Sequence, residues 1–134
     1  MDVPMNRASA VWPATMAYAS VLMWLAIANV PSRLDAGSAF QLDKLWHAGA
    51  YMLLAVLVAR TLWLSAPGGS RGLVAACAIA TAMGYAMITE RMQATVSWRT
   101  SEGFDAAANA AGVLAGVFAW SRLEAKESRR RQRG

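Results

Sequence analysis

Apolar residues fall into four long runs, at about 12–30, 45–64, 72–91 and 104–121, separated by short polar or turn-forming segments. A membrane-spanning helix needs about 20 mostly apolar residues, within a range of about 17–25. The runs are continuous rather than alternating and are rich in Ala, Leu, Met and Val. That pattern favours helices over the short alternating strands of a membrane barrel. It predicts an all-α bundle of four transmembrane helices forming one domain over 1–134, with 122–134 expected to be a disordered basic tail. Pro31-Ser32 marks the end of the first helix, because proline biases its predecessor away from helical geometry. Ala66-Pro67-Gly68-Gly69-Ser70 and the stretch Ser97 to Gly103 read as loops. Ser101 or Gly103 suits the cap of the last helix, and Glu102 and Asp105 suit its positive N-terminus. No repeat at a fixed period is present.

Composition strengthens this picture. The hydrophobic fraction is 57% and the charged fraction 16%, against about 45–50% and about 25% in soluble domains. Six tryptophans suit a chain with membrane–water interfaces. The single cysteine, Cys77, lies in the third apolar run and is expected to be a small buried residue.

Lys and Arg counts in short loops set orientation. Arg7, Arg60, Arg71 and the six cations from Arg122 onward make nine on one side; Arg33, Lys44, Arg91 and Arg99 make four on the other. The excess places both termini in the cytoplasm, in a multi-pass protein of the bacterial cytoplasmic (inner) membrane, and Arg60 is expected to snorkel to that face. The basic tail is read as a topology signal touching anionic headgroups rather than as a nucleic-acid binder, since no aromatic residue is interleaved in it. A second reading makes the first segment a cleaved signal peptide, with Ala26-Ile27-Ala28 as a small-x-small site. Its apolar run is long for a signal core of about 7–15 residues.

The polar residues then take on a pattern. Asp43, Lys44 and His47 open the second run, Glu90 and Gln93 close the third, Arg99 lies in the loop, and Asp105 and Asn109 open the fourth. On the expected topology all of them face the extracytoplasmic side. Asp43, His47 and Tyr51 recur every four residues and so share a helix face; Glu90 and Gln93 share another. Asp105, Asn109, Gly112 and Gly116 share a third, and the two glycines form a small-xxx-small pattern for close helix packing.

Ionisable groups next to hydrocarbon are costly and mark candidate sites. One account is purely structural: Lys44, Arg91 and Arg99 neutralise Asp43, Glu90 and Asp105 and pin the rim. The other is a polar pocket. In it His47, Glu90 and Asp105 are candidates for acid–base work, and Asp43, Lys44, Tyr51, Gln93, Arg99 and Asn109 for ligand binding. Whether His47 meets Glu90 or Asp105 is left open by spacing alone. One histidine is too few for the usual zinc sites, although three carboxylates beside it could hold a hard cation through oxygen. The reading assigns no metal and no cofactor. Neither a Walker-type phosphate loop nor a G-x-S-x-G nucleophile motif is present.

Taken together, Asp43-Lys44-x-x-His47-x-x-x-Tyr51, Glu90-x-x-Gln93, Arg99 and Asp105-x-x-x-Asn109-x-x-Gly112-x-x-x-Gly116 resemble the VanZ-like family of small bacterial membrane proteins. The resemblance runs from Asp43 to Gly116. It implies an integral membrane protein of several helices with a link to the cell envelope; the family's namesake is associated with glycopeptide (teicoplanin) resistance. The expected function is an extracytoplasmic pocket that binds an envelope lipid, a lipid-linked precursor or an amphiphilic antibiotic. Two alternatives stand beside it: a membrane enzyme acting on a lipid-linked substrate, and a structural assembly subunit. The expected partners are membrane lipids and no nucleic acid; oligomeric state is not readable from packing motifs.

Overall fold

The computed structural model contains four helices: α1 (Met5–Ile27), α2 (Ala36–Ser65), α3 (Arg71–Ala94) and α4 (Gly103–Arg133). It describes residues 5–28, 36–96 and 103–133, with side chains over 11–28, 44–96 and 104–133. No strand occurs among the described residues. Two helical stretches are long and apolar enough to cross a membrane, Lys44–Ser65 and Arg71–Ala94, with mean hydropathies of 1.5 and 1.7. α1 supplies a shorter apolar stretch, Val11–Ile27.

α2 is the centre of the bundle. It packs against all three other helices, most extensively against α4, while α1 touches only α2 and α3 among the described residues. Pairings across helices give the directions. Lys44, His47 and Arg60 of α2 meet Asp105, Asn109 and Glu124 of α4 in the same order, so these helices run parallel. Thr15 meets Thr61 at 2.8 Å and Trp12 meets Ser65 at 2.8 Å, while Tyr18 reaches back to Ala50, so α1 runs antiparallel to α2. The result is an up-down-up-down order.

Side-chain size explains the close packing. The buried stripe of α3 is Val74, Ala78, Ala82, Ala86, Thr89 and Gln93, at helical spacing and mostly alanine. Gly112 and Gly116 sit where α4 crosses α2. A Cβ on Gly112 would lie 2.9 Å from the Ala48 carbonyl carbon, and one on Gly116 would lie 3.0 Å from Ala55 Cβ. The outward faces carry large apolar side chains, including Trp24, Leu73, Met87, Ile88, Leu114 and Phe118. Between α2 and α3 the chain turns at Ala66-Pro67-Gly68-Gly69, closed by Gly69 N–H donating to Ala66 O at 3.0 Å. Gly68 has φ 84°, the left-handed value that the third residue of a Pro-Gly type II turn requires.

Several boundaries differ from expectation. α1 starts at Met5 rather than near 12, and α2 starts at Ala36 rather than 45. Hydropathy marks what suits hydrocarbon; helical geometry extends beyond that, through Gly37, Ser38 and Gln41 at the start of α2. Pro31-Ser32, Arg33 and the loop 97–102, which holds Arg99, Ser101 and Glu102, lie outside the described residues, as do the side chains of Arg7 and Asp43.

The largest correction concerns 122–134. The expected disordered tail continues α4 as helix to Arg133. Two cross-helix contacts account for it. Glu124 is buried and accepts from Arg60 of α2, and Ser128 Oγ accepts from Arg71 of α3 at 2.6 Å. Arg122 also stacks over Phe118 at 4.8 Å, one helical turn back. Arg130, Arg131 and Arg133 sit in the last turn, where cations favour a helix C-terminus. Arg60 therefore pairs with Glu124, and with Glu127 at 3.8 Å, rather than simply snorkelling. Cys77 is corrected too: it lies on an exposed face of α3, away from the alanine stripe.

Candidate functional site

The antiparallel order brings the end of α1, the Lys44–Tyr51 segment of α2, the end of α3 and the start of α4 to one end of the bundle. Their buried polar residues meet there. His47 is 7% exposed, Gln93 6%, Asp105 6% and Asn109 1%. Polar groups this buried must find partners, because an unmet one costs about 1–3 kcal/mol.

His47 contacts Asn109 across the α2–α4 interface, Nδ1 to Oδ1 at 3.1 Å. Asn109 in turn donates from Nδ2 to Glu90 Oε1 of α3 at 2.9 Å. Three helices are thus joined by a chain from His47 through Asn109 to Glu90. The question left open by spacing is resolved: His47 reaches Glu90 through an amide. Asp105 forms its ion pair with Lys44 instead. That pair matches part of the rim clamp expected from charge, although the sequence suggested several cations and acids without choosing partners. Arg91 is exposed in the last turn of α3.

Tyr51, one turn beyond His47, bonds to Thr89 of α3. Thr89 Oγ1 donates to Ala86 O of its own helix at 2.8 Å. Its single proton is then committed, so the Tyr51 hydroxyl donates to Thr89. Sequence reasoning overlooked Thr89. The signal was present in the step of four from Tyr85 to Thr89 to Gln93, which shares the buried face of α3.

Beside His47 lies a cavity of about 40 Å³, bounded by Leu22 and Ala26 of α1, Trp46, His47 and Tyr51 of α2, and Gln93 of α3. A single water needs roughly 10–15 Å³ on this measure, so the cavity has room for a few waters or one small polar group. Trp46, on its wall, is 61% exposed, so the cavity borders the outer surface between α1 and α2. The α1 residues of this wall carried no motif and were not expected in the site. Among the described residues no group of three His, Cys, Asp or Glu side chains converges in a way that could hold a metal ion.

The opposite end is built differently. Arg60, Glu124 and Glu127 form an ionic cluster, Arg71 lies 5.8 Å from the centre of the Trp63 ring, and Trp63 meets Trp120 edge-on at 6.0 Å. Trp120 Nε1 is buried without a hydrogen-bond partner among the described residues.

Comparison with known proteins adds no relative to this geometry. No protein-family model, no curated protein and no solved structure matches the chain.

Proposed function

We propose that this chain is a VanZ-like, multi-pass protein of the bacterial cytoplasmic membrane, in which four helices cross and both termini are cytoplasmic. Its extracytoplasmic pocket binds the headgroup of an envelope lipid, lipid-linked precursor or similar amphiphile. The observation that carries the reading is the convergence of His47, Asn109, Glu90, Tyr51 and Gln93 beside a cavity that borders the apolar surface. A polar site reached from an apolar flank suits a ligand with a polar head and a hydrocarbon tail. The motif residues supply the family reading, and the excess of Lys and Arg at the other end supplies the orientation. The cavity's size fits part of a headgroup, not an entire glycopeptide.

Native mass spectrometry of gently purified protein tests this. The expected result is a co-purifying lipid or precursor that is lost in His47→Ala. Protein that arrives ligand-free from several detergents, or a ligand equally retained in that variant, refutes the pocket.

The enzyme reading draws on the same chain, since a histidine oriented by a fixed partner is the arrangement a general base needs. It requires turnover of a lipid-linked substrate that disappears in His47→Gln while the fold is kept. Of the acids named for that role, Asp105 is held by Lys44, which leaves Glu90, acting through Asn109.

A further inference from the structure

The end of the bundle away from His47 holds a second cleft. It encloses about 160 Å³ between Arg60 and Trp63 of α2 and Glu124, Glu127, Ser128 and Arg131 of α4. A single water needs roughly 10–15 Å³ on this measure, so the cleft admits a group of several heavy atoms. Both acids on its wall answer to Arg60: Glu124 accepts from it, and Glu127 lies 3.8 Å away. Two further guanidinium groups stand at the cleft. Arg71 of α3 touches two of its walls, donating to Ser128 Oγ at 2.6 Å and lying 5.8 Å from the centre of the Trp63 ring. A guanidinium carries five N–H donors in a fixed fork, so Arg71 keeps donors beyond the one that Ser128 takes. Arg131 lies exposed on the opposite wall, one turn after Glu127. Guanidinium forks suit phosphate oxygens, which they bind in bidentate fashion.

The position of the cleft points to the source of the phosphate. Arg60 and Trp63 close the apolar stretch Lys44–Ser65, and Arg71 opens the stretch Arg71–Ala94. The cleft therefore sits where both stretches end, and tryptophan favours that level of a membrane. Trp63 is held in the wall by Trp120, edge-on at 6.0 Å. Leu123, one turn before Glu127 on α4, is 57% exposed and gives the edge an apolar border. A ligand with a phosphate head and a hydrocarbon tail meets both surfaces at once.

We propose that this cleft binds the phosphodiester headgroup of an anionic membrane lipid, with Arg131 and Arg71 holding the phosphate and Arg60 keeping the two acids neutralised. The proposal rests on the membrane-spanning reading given above and not on the pocket beside His47.

Fractionation of cells comes first. A chain that stays in the soluble fraction removes the membrane reading and the lipid with it. Delipidated full-length protein in detergent is then titrated with phosphatidylglycerol, phosphatidylethanolamine or glycerophosphoglycerol, the soluble head of the first, and bound species are counted by native mass spectrometry. Phosphatidylglycerol is expected to bind most tightly. Arg131→Gln is expected to weaken it about fivefold, the scale of an exposed ion pair. Arg133→Gln removes the same charge from the same helix end outside the cleft and is expected to have little effect. Glu127→Gln, which removes a carboxylate from the wall, is expected to strengthen binding, and His47→Ala to leave it unchanged.

Equal weakening by Arg131→Gln and Arg133→Gln would mean general attraction to a basic helix and overturn the cleft. Tighter binding of phosphatidylethanolamine, lost in Glu127→Gln, would make the ligand a zwitterion and overturn the anionic assignment. Glycerophosphoglycerol binding as tightly as its parent lipid would overturn the lipid source.

Discussion

Gly112 of α4 lies against the backbone of Ala48 of α2, so close that a Cβ would sit 2.9 Å from the Ala48 carbonyl carbon and 3.0 Å from its Cα. Backbone cannot move aside as a flexible side-chain end can. This contact, repeated one turn on at Gly116 and Met52, sets the offset at which the two helices pair. His47 meets Asn109 because of that offset.

Gly112→Ala is expected to destabilise the protein by about 1–3 kcal/mol through overpacking. Gly49 lies on α2, and a Cβ there would meet nothing within 4 Å. Gly49→Ala is therefore expected to be neutral or to stabilise by about 0.5–1 kcal/mol through helix propensity. Thermal unfolding in detergent measures both. Equal effects at the two glycines would contradict the close crossing.

We propose that the Lys44–Asp105 ion pair clamps the rim of the site rather than binding the ligand. Lys44→Met combined with Asp105→Leu is expected to retain the co-purifying ligand, with at most a modest loss of stability, because both charges leave together. His47→Ala is expected to lose the ligand. Native mass spectra of the two proteins decide it, and loss of ligand in the double variant alone would reverse the assignment.

Glu124 is buried and held by Arg60. Arg60→Ala leaves that carboxylate without its main cation and is expected to cost about 1–3 kcal/mol. Hydrogen exchange should rise over the residues that follow Trp120, where the helix depends on its tethers to α2 and α3. Protection that persists in Arg60→Ala combined with Arg71→Ala would mean that α4 holds its end without them.

Topology is tested in a Cys77→Ala background. A cysteine at Ala94, exposed at the His47 end, is expected to react with an impermeant maleimide on intact cells. One at Ser70, exposed at the Arg71 end, is expected to react only after permeabilisation. The opposite pattern would invert the proposed orientation.

Much of this bundle is written in the order of its residues. Continuous apolar runs determine helices, because a helix satisfies its own backbone polar groups along its length. Spacing determines which residues share a face: His47 with Tyr51, Asp105 with Asn109, Gly112 and Gly116. It misjudged 122–133 because a stretch dense in charge reads as solvated, although Trp120, Glu124 and Ser128 continue one face at steps of four. Spacing places a side chain around its own helix and leaves its height against another helix undetermined. That height comes from packing, through the approach of Gly112 to Ala48. Only the tertiary structure therefore decided that Lys44 takes Asp105, that Asn109 stands between His47 and Glu90, that Tyr51 donates to Thr89, and that α1 walls the cavity beside them.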